Sequence, residues 1–232
     1  RSIGVLKGEA DEVIPLDVKG KLRLGESLRF LSHIRYLNPD VAVASGTSPY
    51  IPLILYLSGA SQRVGYKQSK LSFLNTKNAD GTRDDYMAFV HYRLAQALGI
   101  EEPPSLPRIE IPQDARDWAK EFLNQKGLEK GFLLIHPGIG GMSIKRGIDR
   151  RWENEKWVQL SQKLQEEGEK VVVSLGPEEV EMKKELERAS PIFVVPDDVF
   201  KLAALIERSS LLICLDSAPM HLAVATGSKL VA

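Results

Sequence analysis

Three absences in the sequence narrow the class of protein. Cys214 is the only cysteine among 232 residues, which excludes an internal disulfide and fits a reducing compartment. Basic and acidic residues number 31 each, so no overall charge draws the chain to nucleic acid or to an anionic membrane, and any anion recognition must be local. The longest apolar run, YIPLILYLSGA at residues 50–60, contains Pro52 and is too short to cross a bilayer. The first residues also lack the pattern of a signal peptide.

The composition is that of an ordinary globular protein, with 43% hydrophobic and 27% charged residues. A chain of 232 residues has room for two compact units or one large one. It begins at Arg1 without a methionine, and its last residues, GSKLVA, read as the end of a helix followed by the start of a strand. We expect a fragment that is truncated at both ends, because an unpaired strand would leave apolar surface open.

Short apolar runs in the second half predict a parallel sheet. They are GFLLIH (131–136), KVVVSL (170–175), IFVV (192–195) and LLICL (211–215). Nearly continuous apolar runs of this length are typical of buried parallel strands. The segments between them are amphipathic and predict helices: ENEKWVQLSQKLQEEG, PEEVEMKKELERAS with Pro177 at its first position, and DDVFKLAALIERSS. This alternation predicts a right-handed parallel sheet covered by helices on both faces.

The first half repeats the βα theme less regularly. EVIPLD, DVAVAS and QRVGYK are predicted strands, and GESLRFLSHIRYLN, SPYIPLILYLSGA and DDYMAFVHYRLAQALG are predicted helices. The stretch IEEPPSLPRIEIPQDAR carries four prolines and therefore reads as a linker between the halves. We place the boundary near Pro107 and predict domains at residues 1–107 and 108–232.

In open α/β sheets, ligands bind beyond the carboxyl ends of the strands, and one loop there is rich in glycine and basic residues. The loop is HPGIGGMSIKRGIDRRW (136–152), in which Gly140 and Gly141 are joined by Lys145, Arg146, Arg150 and Arg151. Glycines let backbone amides approach a ligand closely, and the cations suit an anion. The loop fits neither the dinucleotide fingerprint nor a Walker loop. An anion site and a solvated surface connection both stay open.

The stretch LDSAPMHLAVATG (215–227) places a strand end directly before a helix. The turn presents the N-terminal amides and the positive dipole end of the helix above the sheet, and both favour binding of a phosphate group. Asp216 could accept a hydrogen bond from a sugar hydroxyl, Ser217 could cap the helix or donate, and Pro219 suits the first turn. His221 lies close enough to that position to donate to a phosphate. The alternatives are helix capping without a ligand, and a His221 that bonds only to neighbouring backbone.

A second basic stretch lies in the first half. Residues 61–78 contain Arg63, Lys67, Lys70 and Lys77 and no acidic residue. A phosphorylated, acidic ligand would suit such a stretch. A solvated loop with scattered lysines is the alternative.

These motifs resemble those of the heptosyltransferases, glycosyltransferase family 9, which transfer heptose from ADP-heptose to the lipopolysaccharide inner core. DSAPMHLAVATG is similar to the family signature Asp-(Thr/Ser)-Gly-Pro-Met-His-Leu-Ala-Ala-Ala-Leu-Gly, and IHPGIGG, RRWENEKWVQLSQKL, SLGPEE, EVIPLD and RVGY match in place. The resemblance covers nearly the whole chain. It implies an α/β fold of the GT-B architecture, in which two Rossmann-like domains with parallel sheets face each other across a cleft and the C-terminal domain holds most of the nucleotide.

The resemblance implies a donor site in the second domain. Its residues are Asp216, Ser217, Ala218, Pro219, Met220, His221, Arg150, Arg151, Gly140, Gly141, Lys145 and Gly176. Arg150 and Arg151 are alternatives for the family's basic position before Trp152. Ala218 departs from the family's glycine, and a methyl group there requires a negative φ. The acceptor-side candidates are Arg63, Lys67 and Lys70.

The resemblance also implies an inverting transfer without metal or cofactor, in which a carboxylate deprotonates the acceptor hydroxyl and ADP leaves. The family's base is an aspartate after the first strand of the N-terminal domain, which would precede Arg1, so we expect no catalytic residue within this chain. The implied partners are a nucleotide sugar and the lipopolysaccharide core, with no nucleic acid, and the implied location is the cytoplasm, peripheral to the inner membrane. Two alternatives stay open: a transferase or epimerase that uses another nucleotide sugar, and a non-catalytic relative that only binds one.

Overall fold

The computed structural model of the chain describes residues 10–14, 24–82, 87–139, 150–177 and 179–232. Contacts divide the chain into two compact units, Ile14–Ser105 and Leu106–Ala232, and Arg1–Val13 is grouped with the second of them. In its described residues, each unit is built around its own parallel sheet, so the predicted α/β class with parallel sheets is confirmed. The domain limits of 1–107 and 108–232 stay a prediction.

The first unit, as far as the structure describes it, has a three-stranded parallel sheet in the order β1-β2-β3. Its elements are α1 (Leu24–Leu37), β1 (Val41–Val43), α2 (Tyr50–Leu57), β2 (Gln62–Tyr66), a 3-10 helix (Ser72–Leu74), β3 (Lys77–Ala79) and α3 (Met87–Gln96). Buried side chains from β2 and β3 pack with those of α3, namely Val64, Tyr66, Ala79, Val90 and Leu94. This small core holds α3 against the two strands.

The first unit has one strand that the sequence did not predict and one predicted strand that differs from the structure. β3 has the polar sequence KNA, and it forms because its backbone extends the parallel ladder of β2, with Tyr66 paired to Ala79. Glu12, Val13 and Ile14 lie outside helices and strands, so the predicted strand EVIPLD is wrong for these residues. The proline in that segment removes a ladder donor. The rest of the segment lies outside the described residues.

The second unit has a five-stranded parallel sheet among its described residues, in the order β6-β5-β4-β7-β8. Its elements are α4 (Gln113–Gln125), β4 (Leu133–His136), α5 (Asn154–Glu166), β5 (Val171–Ser174), a 3-10 helix (Val180–Met182), α6 (Lys183–Leu186), a further 3-10 helix (Glu187–Ala189), β6 (Ile192–Val194), α7 (Val199–Arg208), β7 (Leu211–Cys214), α8 (Ala218–Thr226) and β8 (Leu230–Val231). The four predicted apolar runs of this half form β4, β5, β6 and β7. Continuous apolar runs therefore identified the buried strands correctly.

Helix α4 corrects the end of the predicted linker. The predicted linker included the first turn of this helix, which begins at Gln113 directly after Pro112. Proline is compatible with that position because the residue before the first turn needs no N–H bond within the helix. Ala115, Ala119 and Leu123 recur every four residues and bury the inner face of the helix.

The segment after β5 is not the single helix that the sequence predicted. It consists of one α-helical turn between two 3-10 turns, and Pro177 lies in a turn before them. The Glu179 carboxylate accepts a hydrogen bond from the Gly176 N–H at 2.6 Å. The Glu179 N–H in turn donates to the Gly176 carbonyl at 3.0 Å. These two bonds close a turn where the helix was expected to begin.

The two faces of the second sheet carry separate clusters of side chains, and one face ends in polar residues. Alternate residues of parallel strands point to the same face, and the strand register aligns them in rows. On the face covered by α4, α7 and α8, one row contains Leu212, Leu134 and Val172. At the carboxyl ends, that face continues with Cys214, His136 and Ser174. The apolar core thus gives way to polar groups at the edge where ligands of such sheets bind.

Candidate functional site

A pocket of about 360 Å³ lies in the second unit, beyond the carboxyl ends of β4 and β5 and beside the N-terminus of α8. Its polar and small lining residues are His136, Gly138, Gly176, Glu179, Ser217 and Ala218. Leu202 of α7 and Pro219 contribute apolar walls. Open parallel sheets bind ligands at this position because their βα turns bring helix N-termini together there.

Helix α8 begins at the pocket. Ser217 occupies the N-cap position with an extended backbone (φ −154°, ψ 178°), and Pro219 lies in the first turn. The Ser217 side chain does not cap the helix, because its hydroxyl donates to the Leu215 carbonyl at 3.1 Å. The first-turn amides and the helix dipole therefore favour an anion in the pocket. Ala218 is not among the residues with positive φ, so its methyl group is compatible with this backbone.

Arg150 and Asp216 form an ion pair next to Ser217. Arg150 Nη1 donates to Asp216 Oδ2 at 2.6 Å, and the two side chains are 65% and 56% exposed. Water competes for such a pair, so it stabilises the protein by only about 0 to 1 kcal/mol. Of the two arginines that the sequence left open, Arg150 is the one that pairs with Asp216 among the described residues. A cation and a carboxylate that were predicted to bind different groups of one ligand therefore lie side by side.

His136 and Glu179 were absent from the predicted site, yet both line the pocket. The His136 side chain is 8% exposed and its Nε2 lies 3.7 Å from Oε2 of Glu179, whose side chain is 11% exposed. The other ring nitrogen, Nδ1, lies 2.8 Å from Oγ of the buried Ser174. Burial lowers the pKa of His136 below 6.5, and the Glu179 charge only partly opposes this shift. The pocket therefore contains an imidazole beside a carboxyl group, and burial favours the neutral form of the imidazole.

Two glycines leave the space that Glu179 occupies. A Cβ atom at Gly138 would lie 2.7 Å from Glu179 Cγ and closer still to the carboxyl group, and one at Gly176 would lie 2.5 Å from Glu179 Oε2. Neither glycine is among those with positive φ. The site therefore requires glycine at both positions for space and not for backbone conformation.

The other predicted donor residues differ in their surroundings. Gly176 lines the pocket. Met220 is half-buried and packs against the core, so we assign its side chain a packing role. His221 is exposed in the first turn of α8. Three further candidates, Gly140, Gly141 and Lys145, lie outside the described residues.

The three acceptor-side candidates in the first unit are not equivalent. Arg63 donates to two backbone carbonyls at 2.7 and 3.0 Å and lies over the ring of Tyr56. Lys67 pairs with Asp80 at 2.6 Å, a residue just beyond the acid-free stretch that the sequence indicated. Lys70 is exposed. Arg63 and Lys67 therefore have partners within their own unit, and all three cations stay acceptor-side predictions.

The sequence contains signals for His136 and Glu179 that could have been used. β4 is otherwise apolar and ends in a histidine at the ligand-binding edge, and Glu179 belongs to SLGPEE, a stretch matched only as part of the resemblance. Neither signal shows that the two residues meet. Their contact depends on the register between β4 and β5 and on the turn at Gly176, which no local pattern determines.

No helix in the described ranges is both long and apolar enough to cross a membrane. In the same ranges, no group of three or more His, Cys, Asp or Glu side chains is placed to hold a metal ion.

Comparison with known proteins gives a family and several structural relatives. Residues 27–232 match the model of glycosyltransferase family 9 (heptosyltransferase). The solved glycosyl transferase family 9 protein from Veillonella parvula is 24% identical with a TM-score of 0.76, and the match covers 96% of this chain and 65% of that one. ADP-heptose lps heptosyltransferase II from E. coli is 20% identical with a TM-score of 0.66, and the match covers 90% of this chain and 66% of that one.

A further solved structure is E. coli heptosyltransferase WaaC with ADP-2-deoxy-2-fluoro heptose. It is 17% identical with a TM-score of 0.67, and the match covers 95% of this chain and 71% of that one. None of the curated protein sequences matches the chain significantly. The chain thus spans about two thirds of the length of these solved relatives. At these identities the likeness shows the fold, which confirms the predicted GT-B fold class.

Proposed function

Since the chain belongs to glycosyltransferase family 9, we propose that it carries the donor site of an enzyme that transfers a sugar from a nucleotide sugar to an acceptor hydroxyl. We propose ADP-heptose as the donor and the lipopolysaccharide inner core as the acceptor, because the motifs at residues 136–152 and 216–227 resemble those of heptosyltransferases. One observation carries the proposal: the α8 N-terminus and Glu179 line one pocket, and the Arg150–Asp216 pair forms at the residue directly before the pocket-lining Ser217.

The diphosphate of the donor belongs at the N-terminus of α8. The first-turn amides of this helix and the Arg150 guanidinium are donors for phosphate oxygens. Negative charge grows on the diphosphate as the bond to the sugar breaks. Hydrogen-bond donors that already point at this charge stabilise the transition state more than the bound substrate, and they therefore increase the rate of transfer.

The hydroxyl groups of the donor have two carboxylates to bind. Glu179 lines the pocket, and Asp216 directly precedes Ser217, which also lines it. Carboxylates accept hydrogen bonds from hydroxyls. A diphosphate competes with Asp216 for Arg150. When it takes the arginine, Asp216 becomes available to accept a hydrogen bond from the sugar.

The proposed transfer inverts the anomeric centre. The acceptor oxygen attacks the anomeric carbon, the bond from that carbon to the diphosphate oxygen breaks, and the hydroxyl proton passes to a carboxylate base. The base stays a prediction, as an aspartate upstream of Arg1. We also propose that the step needs no metal ion or cofactor, and that the enzyme works in the cytoplasm at the inner membrane, where a lipid-linked core is accessible.

Calorimetric titration of the full-length protein with ADP, UDP and GDP, each with and without magnesium, tests the proposal. Selective binding of ADP in both conditions supports it, and turnover with ADP-heptose is then the direct assay. A preference for UDP or GDP would move the donor to another nucleotide sugar. Failure to bind any of the three would contradict the proposed donor site.

A matched pair of arginine variants tests the role of the ion pair. Arg150→Ala should weaken ADP binding by about 1.5 to 3 kcal/mol, the range for a charged hydrogen bond, or roughly ten- to a hundred-fold in Kd. Arg188→Ala is the control, because Arg188 forms an ion pair of the same length, 2.6 Å, with the exposed Glu155. Equal effects of the two variants would show that Arg150 does not contact the donor.

A further inference from the structure

We propose that His136 is a positioning residue that holds the Glu179 carboxylate in the pocket. The inference rests on the proposed function, since it concerns how the donor site is kept in shape. Three residues form a chain from the core to the pocket: Ser174 is fully buried, His136 is 6% exposed, and Glu179 lines the pocket. A polar chain this deep in a core is costly unless each group has a partner.

Strand register brings the first two members together. Ile135 of β4 pairs with Val173 of β5, so the next residues, His136 and Ser174, are neighbours on one face at the carboxyl ends of the two strands. Their side chains meet at 2.8 Å between Nδ1 and Oγ. The position of the imidazole ring is therefore fixed by the sheet itself.

The turn after β5 brings Glu179 to the other side of the ring. The Gly176 N–H holds Glu179 Oε2 at 2.6 Å, and His136 Nε2 lies 3.7 Å from the same oxygen. With the proton on Nε2, the N–H bond dipole attracts the carboxylate, and Nδ1 accepts a hydrogen bond from the Ser174 hydroxyl. We assign this tautomer because it gives all three residues a favourable interaction.

A neutral imidazole can orient a carboxylate without neutralising it. A lysine or arginine at this position would form an ion pair with Glu179 and compete with donor hydroxyls. The histidine instead adds a directional contact on the side of the carboxylate that faces β4. Sites of this kind depend on such supporting groups, because they limit the orientations that a carboxylate can adopt.

Two substitutions separate positioning from folding. An asparagine amide matches the Nδ1 end of histidine, so His136→Asn keeps a group near Ser174 but loses the group that faces Glu179. A glutamine amide matches the Nε2 end, so His136→Gln keeps an N–H directed at Glu179. We expect the Kd for ADP to rise about two- to five-fold in His136→Asn, because the lost contact of 3.7 Å is longer and weaker than a hydrogen bond. In His136→Gln the Kd should stay near the wild-type value.

Inorganic pyrophosphate is the probe that distinguishes a local effect from a general one. It has phosphates for α8 and Arg150 but no hydroxyl for Glu179. His136→Asn should therefore leave competition by pyrophosphate unchanged while it weakens ADP binding. If both variants bind ADP like the wild type, or if ADP and pyrophosphate binding fall together, the positioning role is overturned.

A cycle of unfolding measurements keeps the test independent of the ligand. The cycle compares the wild type with His136→Asn, Glu179→Ala and the double variant. If the two residues are coupled, the midpoint of urea unfolding falls in the double variant by less than the sum of its decreases in the two single variants. Additive shifts would overturn the inference even if ADP binds as proposed. A wild-type protein that binds no nucleotide but shows coupling would instead contradict the proposed function and leave the His136–Glu179 link standing.

Discussion

Replacing Gly138 with alanine should displace the Glu179 carboxylate. The added Cβ would lie 2.7 Å from Glu179 Cγ, whereas two carbon atoms need about 3.5 Å, so the Glu179 side chain must shift by about 1 Å or more. A shift of this size breaks the 2.6 Å hydrogen bond from the Gly176 N–H. A hydrogen bond to a charged group contributes about 1.5 to 3 kcal/mol.

Two measurements follow from this displacement. The free energy of unfolding in urea should fall by up to about 3 kcal/mol, and the Kd for ADP should rise about ten-fold or more because the carboxylate no longer faces the donor. Gly25→Ala is the matched control, since a Cβ at Gly25 meets nothing within 4 Å. Gly25 lies in α1, where alanine should stabilise by about 0.5 to 1 kcal/mol.

The Glu179→Ala variant tests whether the clash at Gly138 is with the Glu179 side chain. In Glu179→Ala the side chain is already gone, so adding Gly138→Ala should cost almost nothing further in stability or in ADP binding. Gly138→Ala could instead lower the free energy of unfolding as much in the Glu179→Ala variant as in the wild type. In that case Gly138 is not required to make space for Glu179, and the proposed packing of the pocket is refuted.

Three further predictions concern the second unit. Burial raises the pKa of the Cys214 thiol to about 11. Iodoacetamide at pH 8 should therefore leave Cys214 unmodified in the folded protein and modify it in urea. Rapid labelling of the folded protein would contradict this prediction. Burial lowers the pKa of His136 below 6.5, so the unfolded chain binds more protons than the folded protein just below pH 6.5. The free energy of unfolding therefore falls as the pH drops through that range. Urea unfolding at pH 7 and pH 5 should show a smaller decrease of this free energy in His136→Gln than in the wild type. Asp198 accepts hydrogen bonds from two first-turn amides of α7 at 2.7 and 2.8 Å, so Asp198→Ala should cost about 1 kcal/mol in urea unfolding, and a smaller loss than in Asp197→Ala would speak against the cap.

The sequence predicted those parts of the fold that depend on local pattern. The apolar runs of β4 to β7 marked the buried strands, and Pro219 marked the start of α8. α4 was not predicted, because its first turn follows a run of prolines and was assigned to the linker, although its apolar residues recur at helical spacing. β3 was missed because it has no apolar run and is a strand only through its pairing with β2.

The site was predictable only in its charges. Arg150 and Asp216 stood out because their residue types suit a phosphorylated sugar, but nothing local showed that they pair. Arg63 stays an acceptor-side prediction, and its hydrogen bonds could not be predicted because its partners are backbone carbonyls, which every sequence contains. Glu179 was overlooked because its setting depends on two glycines and a histidine from different loops and strands.

The Arg150–Asp216 pair bears on how the product leaves the proposed enzyme. A nucleotide sugar that draws Arg150 to its phosphates gives Asp216 a hydroxyl in exchange. After transfer, ADP still holds Arg150 but no longer offers that sugar hydroxyl. Asp216 then recovers its charged partner only when ADP departs. If the proposed donor site is correct, this ion pair makes ADP bind more weakly than the intact donor and thereby favours release of the product.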